Sequence, residues 1–265
     1  FIYYYGIKGA AWATVLSQFI VCCIFLYYIT VKKSTYLQIY FKHLKFNRSI
    51  TNEILSIGIP SSLSMMIMAM GAFIFNIILN NPTAVAAYQT CGRIEHLFFL
   101  PIISISSALV TLVGMFYGAE RHDLIKKIIK YGIKAAITFA CFCSLFFFLS
   151  SEYIIPLFTD SIEIINISKV YFSIVCFSYP FVTIGMTSSR IMQGLGHGSP
   201  VLIVTLIRVV VINAPLGFIF TRVYNLPLEF IWYSIVFSSF IASTISLLWM
   251  IKITSNKYSA SKIVT

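Results

Sequence analysis

Charge is what this sequence is short of. Charged side chains make up 10% of its 265 residues, and 8 of them are acidic. Water-soluble domains carry about a quarter, so these charges are too few to coat a water-facing surface of this size. Lipid must be the solvent for much of the chain. The shortage of carboxylates and imidazoles excludes more. His43, His96, His122 and His197 are scattered, and no His, Asp or Glu cluster stands at ligand or catalytic spacing. No catalytic residue, no metal site and no cofactor is expected, and the chain is not read as an enzyme. Cys22, Cys23, Cys91, Cys141, Cys143 and Cys176 all lie inside apolar runs without histidine partners. That is the pattern of small buried hydrophobes. Met is missing from the start. The chain opens on Phe1-Ile2-Tyr3 without a basic n-region or a cleavage site, so this is not a signal peptide and a truncated chain is expected.

What is there is apolar. Hydrophobic residues form 59% of the chain and the mean hydropathy is +0.90. A helix needs about 20 apolar residues to cross a hydrocarbon core of ~30 Å. Seven runs are long enough: 9–31, 54–79, about 84–118, about 133–151, 170–192, 199–220 and 230–251. The second and third are parted by Asn80-Asn81-Pro82-Thr83, a strong breaker cluster. Irregular backbone in lipid leaves hydrogen bonds unmade, so each run is expected to be a helix. The runs are continuous, unlike the alternating ten-residue segments of an outer-membrane barrel. The fold class is therefore an all-α polytopic membrane protein with seven transmembrane helices.

The sparse charge orients them. Lys32, Lys33, Lys42, Lys45 and Arg48 lie between the first two runs, and Arg121, Lys126, Lys127, Lys130 and Lys134 follow the third. Lys252, Lys257 and Lys262 follow the seventh. Seven crossings put all three clusters on one side. The other side has Lys8, Lys169 and Arg222 among the acids Glu152, Asp160, Glu163 and Glu229. The positive-inside pattern predicts a cytoplasmic C-terminus and a plasma (inner) membrane location. The formal net charge of +11 is thus spent on loops. No basic face with interleaved aromatics exists, so a nucleic-acid partner is not expected. Segment 32–53 mixes Tyr36, Tyr40 and Phe41 with lysines. It reads either as an amphipathic helix on anionic lipid or as a solvated linker.

Polar groups inside the runs need a reason. Arg93 and Glu95 lie in the third run, Arg190 near the end of the fifth and Arg208 in the sixth. Glu95 is the one carboxylate well inside a run, about ten residues from the outer end, or ~15 Å deep at helical rise. Desolvation favours the neutral form of such an acid, so it is a candidate proton carrier. Arg93 points to a different face, yet it remains a candidate to hold Glu95 ionised. The alternative is a Glu95–Arg ion pair that only locks helices together. Arg208 is too deep for easy snorkelling and needs a partner or a water-filled cavity, whereas snorkelling accounts for Arg190. Asn76, Tyr88, Gln89, Tyr179, Gln193 and Asn213 add uncharged polar groups, which either bridge helices or line a water-accessible interior. Pro60, Pro101, Pro180 and Pro215 sit inside four runs and permit bends.

An ordered series then becomes familiar. Gly6-Ile7-Lys8-Gly9-Ala10-Ala11-Trp12-Ala13-Thr14 is followed by Ile57-Gly58-Ile59-Pro60, then by Ala84-Val85-Ala86-Ala87-Tyr88. Arg93-Ile94-Glu95, Pro101, Val113-Gly114 and Tyr117-Gly118-Ala119 come next. Gln193-Gly194-Leu195-Gly196, Arg208 and Ala214-Pro215-Leu216 complete it. In order and spacing this resembles the multidrug and toxic compound extrusion (MATE) family over nearly the whole chain. The resemblance implies two six-helix lobes joined by a cytoplasmic connection. It makes 1–31 the last helix of an N-terminal lobe, 32–53 the basic linker, 54–252 a complete six-helix C-terminal lobe and 253–265 a cytoplasmic tail. It also implies secondary active efflux of amphiphilic or cationic small molecules, in exchange for H⁺ or Na⁺, by alternating access. The partners it implies are small-molecule substrates, membrane lipid and the missing N-terminal lobe. The residues expected on the pathway or in ion coupling are Glu95, Arg93, Arg208, Asn76, Tyr88, Gln89, Tyr179 and Asn213. One departure stands out. Some branches carry acids in the first and fourth helices of the second lobe, and here 54–79 and 170–192 have none. Coupling then falls to Glu95 or to the absent lobe.

Two rivals remain. A lipid-linked oligosaccharide flippase of the same superfamily needs several cations in a central cavity, and here Arg93 and Arg208 qualify. A complete seven-helix receptor or retinal protein fits the span count. A retinal protein, however, needs a buried Lys in the last helix, and Lys252 lies at its end.

Overall fold

The computed structural model describes Ile2–Thr30 and Asn47–Ser261. These residues are helical nearly throughout, with no strand among them. Seven helical stretches are long and apolar enough to cross a membrane. They are α1 (Ile2–Thr30), α2 (Arg48–Leu79), α3 (Pro82–Gly118), α4 (His122–Ile154), α5 with α6 (Ile162–Val175, Tyr179–Gly194), α7 with α8 (Ser199–Leu206, Ala214–Phe218) and α9 (Glu229–Ser261). Two compact units divide the chain, Phe1–Thr51 and Asn52–Thr265. In the first, α1 kinks at Gly6, whose φ of 55° suits a residue without a side chain. Most of the segment expected to be amphipathic or a linker, 32–53, lies outside the described residues.

The breaker cluster acts as its composition requires. Asn80 takes a positive φ and ends α2. Asn81 caps α3, its side chain accepting from the Thr83 amide at 3.0 Å, and Pro82 fills the first helical position.

Four helices start well before the runs predict: α1 at Ile2 rather than 9, α2 at Arg48 rather than 54, and two more. α4 begins at His122 rather than near 133, so Lys126, Lys127, Lys130 and Lys134 are helical and not in a loop. They lie on its exposed side, while Ile125, Gly132 and Ala136 are buried. The amphipathic first turns hid in a hydropathy average. The fifth crossing likewise starts at Ile162, not 170, and a 3₁₀ turn at Cys176–Ser178 divides it. The sixth crossing is interrupted by π-helical segments Ile207–Asn213 and Ile219–Val223 on either side of Pro215.

The second unit is apolar outside and finely polar inside. Phe73, Phe142, Leu149, Phe237 and Leu248 are exposed, whereas the buried polar side chains of the described residues are all serine or threonine. Between lipid-bathed helices burial gains little, so close packing and hydrogen bonds decide association. The α6–α9 seam shows this. A Cβ on Gly185 would lie 3.3 Å from the Ser243 Cα. Ser246 Oγ donates to the Gly185 carbonyl at 3.0 Å, and Ser189 and Ser246 share a 3.0 Å hydrogen bond. Gly194 packs as tightly on α3, where a Cβ would lie 2.8 Å from the Val110 carbonyl. One apolar cluster gathers round Trp232, Phe147 and Phe172, and another round Val113, Ile125 and Met192.

Candidate functional site

The second unit contains a cavity of about 520 Å³ walled by its six crossings apart from α4, within the size range of small-molecule sites. α3 supplies one stripe of it. Tyr88, Gly92, Glu95, Phe99 and Ile103 all line the space, because steps of four and three return to one helix face. Across from them stand Tyr171 and Tyr179 on either side of the 3₁₀ turn in the divided crossing, and Arg208 and Asn213 from the first π-helical segment. A π-turn widens the helix and re-aims its side chains, and such segments recur at functional sites.

Glu95 is half-buried. The Tyr179 hydroxyl donates to its Oε1 at 2.8 Å, and Tyr171 lines the same wall. The 3₁₀ turn and Pro180 fix where Tyr179 starts its helix. Phe99 meets the Tyr179 ring edge-on with centroids 5.1 Å apart, and Phe147 flanks it at 6.0 Å. Fully buried Trp232 stacks on Tyr88 at 6.1 Å and takes Tyr171 edge-on at 4.9 Å. Glu95 thus sits among aromatic rings, with the Tyr179 hydroxyl on its carboxylate.

Not every expected residue reaches this place. Glu95, Tyr88, Tyr179, Arg208 and Asn213 line the cavity, the last also accepting from Ser234 Oγ at 2.8 Å. Arg93 is exposed and off the wall, since two residues turn a helix by about 200°. It makes no ion pair with Glu95, and the ion pairs among the described residues are Arg121–Asp123 and Lys169–Glu152. Asn76 and Gln89 are also off the wall. The Gln89 amide donates to Asn76 Oδ1 at 3.3 Å and ties α3 to α2. Arg190, read from sequence as a snorkelling residue, lines the cavity instead, donating to Gln193 Oε1 at 2.9 Å. Gln193 in turn donates to Ser61 Oγ at 2.9 Å. His96 joins the wall too. The signal that would have found Arg190 and His96 is helical phase: Arg190 follows Met186 by four, and His96 follows Gly92 by four.

The MatE family model matches residues 60–219, more than half of the chain. The chain belongs to the MatE family. It is accordingly a multi-pass membrane protein. Over 262 residues it is 29% identical to the probable multidrug resistance protein NorM of Thermotoga maritima, covering 98% of this chain and 55% of that relative. It is 23% identical over 242 residues to the multidrug export protein MepA of Staphylococcus saprophyticus, covering 91% of this chain and 52% of that one. An outward-facing multidrug resistance MATE transporter superposes with a TM-score of 0.92 at 28% identity, over 97% of this chain and 58% of that chain. A MOP superfamily transporter from Pyrococcus furiosus, described as having a binding pocket of reverse polarity, superposes at 0.91 and 28% identity. There the match covers 96% of this chain and 58% of that chain. The MatE chain described here spans about half the length of the curated relatives it matches.

Proposed function

We propose that this chain carries one lobe of a secondary active exporter of amphiphilic small molecules, with Glu95 as a proton-coupling group. Residues 54–252 form the C-terminal lobe in this reading, and α1 is the last helix of the preceding one. The relatives' names, multidrug resistance and multidrug export, support the transport role. The cavity supports the substrate class. Its wall sets Met65, Met68 and Met186 beside Phe75, Phe99 and Phe181, and flexible thioethers repack around ligands of different shape. Positive-inside charge orients the lobe with the C-terminus in the cytoplasm of a plasma membrane.

The observation that carries the coupling role is Glu95 itself. It is the one acid on the cavity wall, and its hydrogen-bond partner is the Tyr179 hydroxyl rather than a fixed cation. A neutral donor lets the carboxyl exist in either protonation state, as antiport requires, whereas a permanent guanidinium partner would hold it ionised. Movement of α6 at the 3₁₀ turn would withdraw Tyr179 from the carboxylate and change its proton affinity. That two-state element is what substrate and proton would both bias. In everted vesicles containing the complete transporter, Glu95→Gln is expected to abolish substrate-driven proton exchange while leaving the protein in the membrane. Normal exchange by that variant would remove Glu95 from the mechanism.

A further inference from the structure

The cavity wall holds more positive than negative charge, and one of its cations has no partner. Its charged side chains are Glu95, Arg190 and Arg208. Tyr179 serves Glu95, and Gln193 serves Arg190. Arg208 is different. It stands in the π-helical segment midway along Ser199–Val223, and among the described residues neither a hydrogen bond nor an ion pair reaches it. Its nitrogens are not among the sealed polar atoms, so the guanidinium opens into the cavity. A guanidinium at this depth is costly to keep unless an anion or water satisfies it. It cannot shed its charge, and its planar fork matches a carboxylate, sulfonate or phosphate with two parallel hydrogen bonds. Tyr88 lines the same wall, its ring stacked on Trp232 and so held in place.

We infer that Arg208 is an anion-binding subsite of this cavity. The ligands it takes are amphiphiles that carry one carboxylate, sulfonate or phosphate beside an apolar ring or chain. The anionic head sits on Arg208 and the apolar body lies against Tyr88, Phe75 and Met68. An organic cation has the opposite preference: Arg190 and Arg208 repel it, and Tyr179 already occupies the single acid. This inference rests on reading the cavity as the substrate pathway.

Three probes with one naphthalene body test it: 1-naphthalenesulfonate, 1-naphthalenemethanol and 1-naphthylmethylammonium. Each is titrated calorimetrically into the protein in phosphatidylcholine nanodiscs. The sulfonate is expected to bind about tenfold or more tighter than the other two, as a charge-assisted bidentate contact gives. Arg208→Gln brings the sulfonate down to the level of the alcohol, Arg208→Lys retains part of the preference, and Arg93→Gln leaves it unchanged. Equal or tighter binding of the ammonium probe, or a sulfonate affinity indifferent to Arg208→Gln, overturns the subsite. Should Arg208→Gln not accumulate, the order of the three probes on the wild-type protein and on Arg208→Lys decides in its place. Exchanging about half the lipid for phosphatidylglycerol separates two sources of the anion. Weakened sulfonate binding identifies a lipid headgroup as the ordinary occupant, and unchanged binding identifies a soluble amphiphile; either sustains the subsite. The coupling role of Glu95 fails separately: normal exchange by Glu95→Gln leaves Arg208-dependent sulfonate binding intact.

Discussion

Replacing Gly185 by leucine should force α6 and α9 apart. A Cβ at that position already meets the Ser243 Cα at 3.3 Å, with the Ser243 backbone nitrogen at 3.7 Å. Backbone cannot rotate out of the way as a flexible side chain can. Alanine therefore needs a shift of a few tenths of an ångström, and the three further carbons of leucine need the helices to separate. Separation breaks two hydrogen bonds at 3.0 Å, from Ser246 to the Gly185 carbonyl and between Ser189 and Ser246. Inter-helical hydrogen bonds in membrane proteins are worth about 0.6 kcal/mol each and up to ~1.7. Overpacking adds about 1–3 kcal/mol. The sum for Gly185→Leu is about 2–6 kcal/mol, with Gly185→Ala well below it and Ser246→Ala near 1 kcal/mol. Denaturant titration of the reconstituted protein, followed by tryptophan fluorescence, would rank the three. Because Gly185, Ser189 and Ser243 also border the cavity, Gly185→Leu should lose ligand binding before it loses helix content. A leucine variant as stable as the wild type would show that this seam does not hold α6 on α9.

Trp232→Ala should destabilise by about 3–5 kcal/mol, since a fully buried indole leaves a void beside Tyr88 and Tyr171; thermal unfolding in nanodiscs checks it. Asn81→Ala removes the cap on Thr83 and should cost about 0.5–2 kcal/mol by the same assay. Epitope tags at Ala119–Glu120 and after residue 255 should be accessible from the cytoplasm, and a tag at 160–165 from outside. External labelling of the 119–120 turn would invert the orientation.

The spans were legible because lipid demands length and continuity, and Asn80-Asn81-Pro82 announced its turn through cap chemistry visible in three letters. The start of α4 was not. Its lysines read as a loop in a running average, yet at helical spacing they occupy the face opposite Ile125 and Ala136. The candidate site was legible in part for a similar reason. Glu95, Tyr88, Tyr179, Arg208 and Asn213 were found by asking which polar groups lie deep, and depth is a count along the chain. Which of those groups share a cavity depends on rotation about each helix and on neighbours far away in sequence. Depth therefore ranked Asn76 and Gln89 with the others, while the fold pairs them with each other. Depth also assigned Arg190 to the interface, while Gln193 and Ser61 hold it at the cavity wall. The expected Arg93 partner for Glu95 was nearest in sequence, and a tyrosine 84 positions away fills that role.

The coupling role of Glu95 is tested most directly by measuring protons and substrate together. The complete transporter is reconstituted in liposomes with a pH dye inside, substrate is added, and proton flux is recorded for the wild type, Glu95→Gln and Tyr179→Phe. The account predicts substrate-dependent flux in the wild type and none in Glu95→Gln at equal protein. It predicts coupled flux with a displaced pH profile in Tyr179→Phe, which loses the 2.8 Å hydrogen bond and keeps the acid. Wild-type flux and an unchanged pH profile in both variants would contradict it.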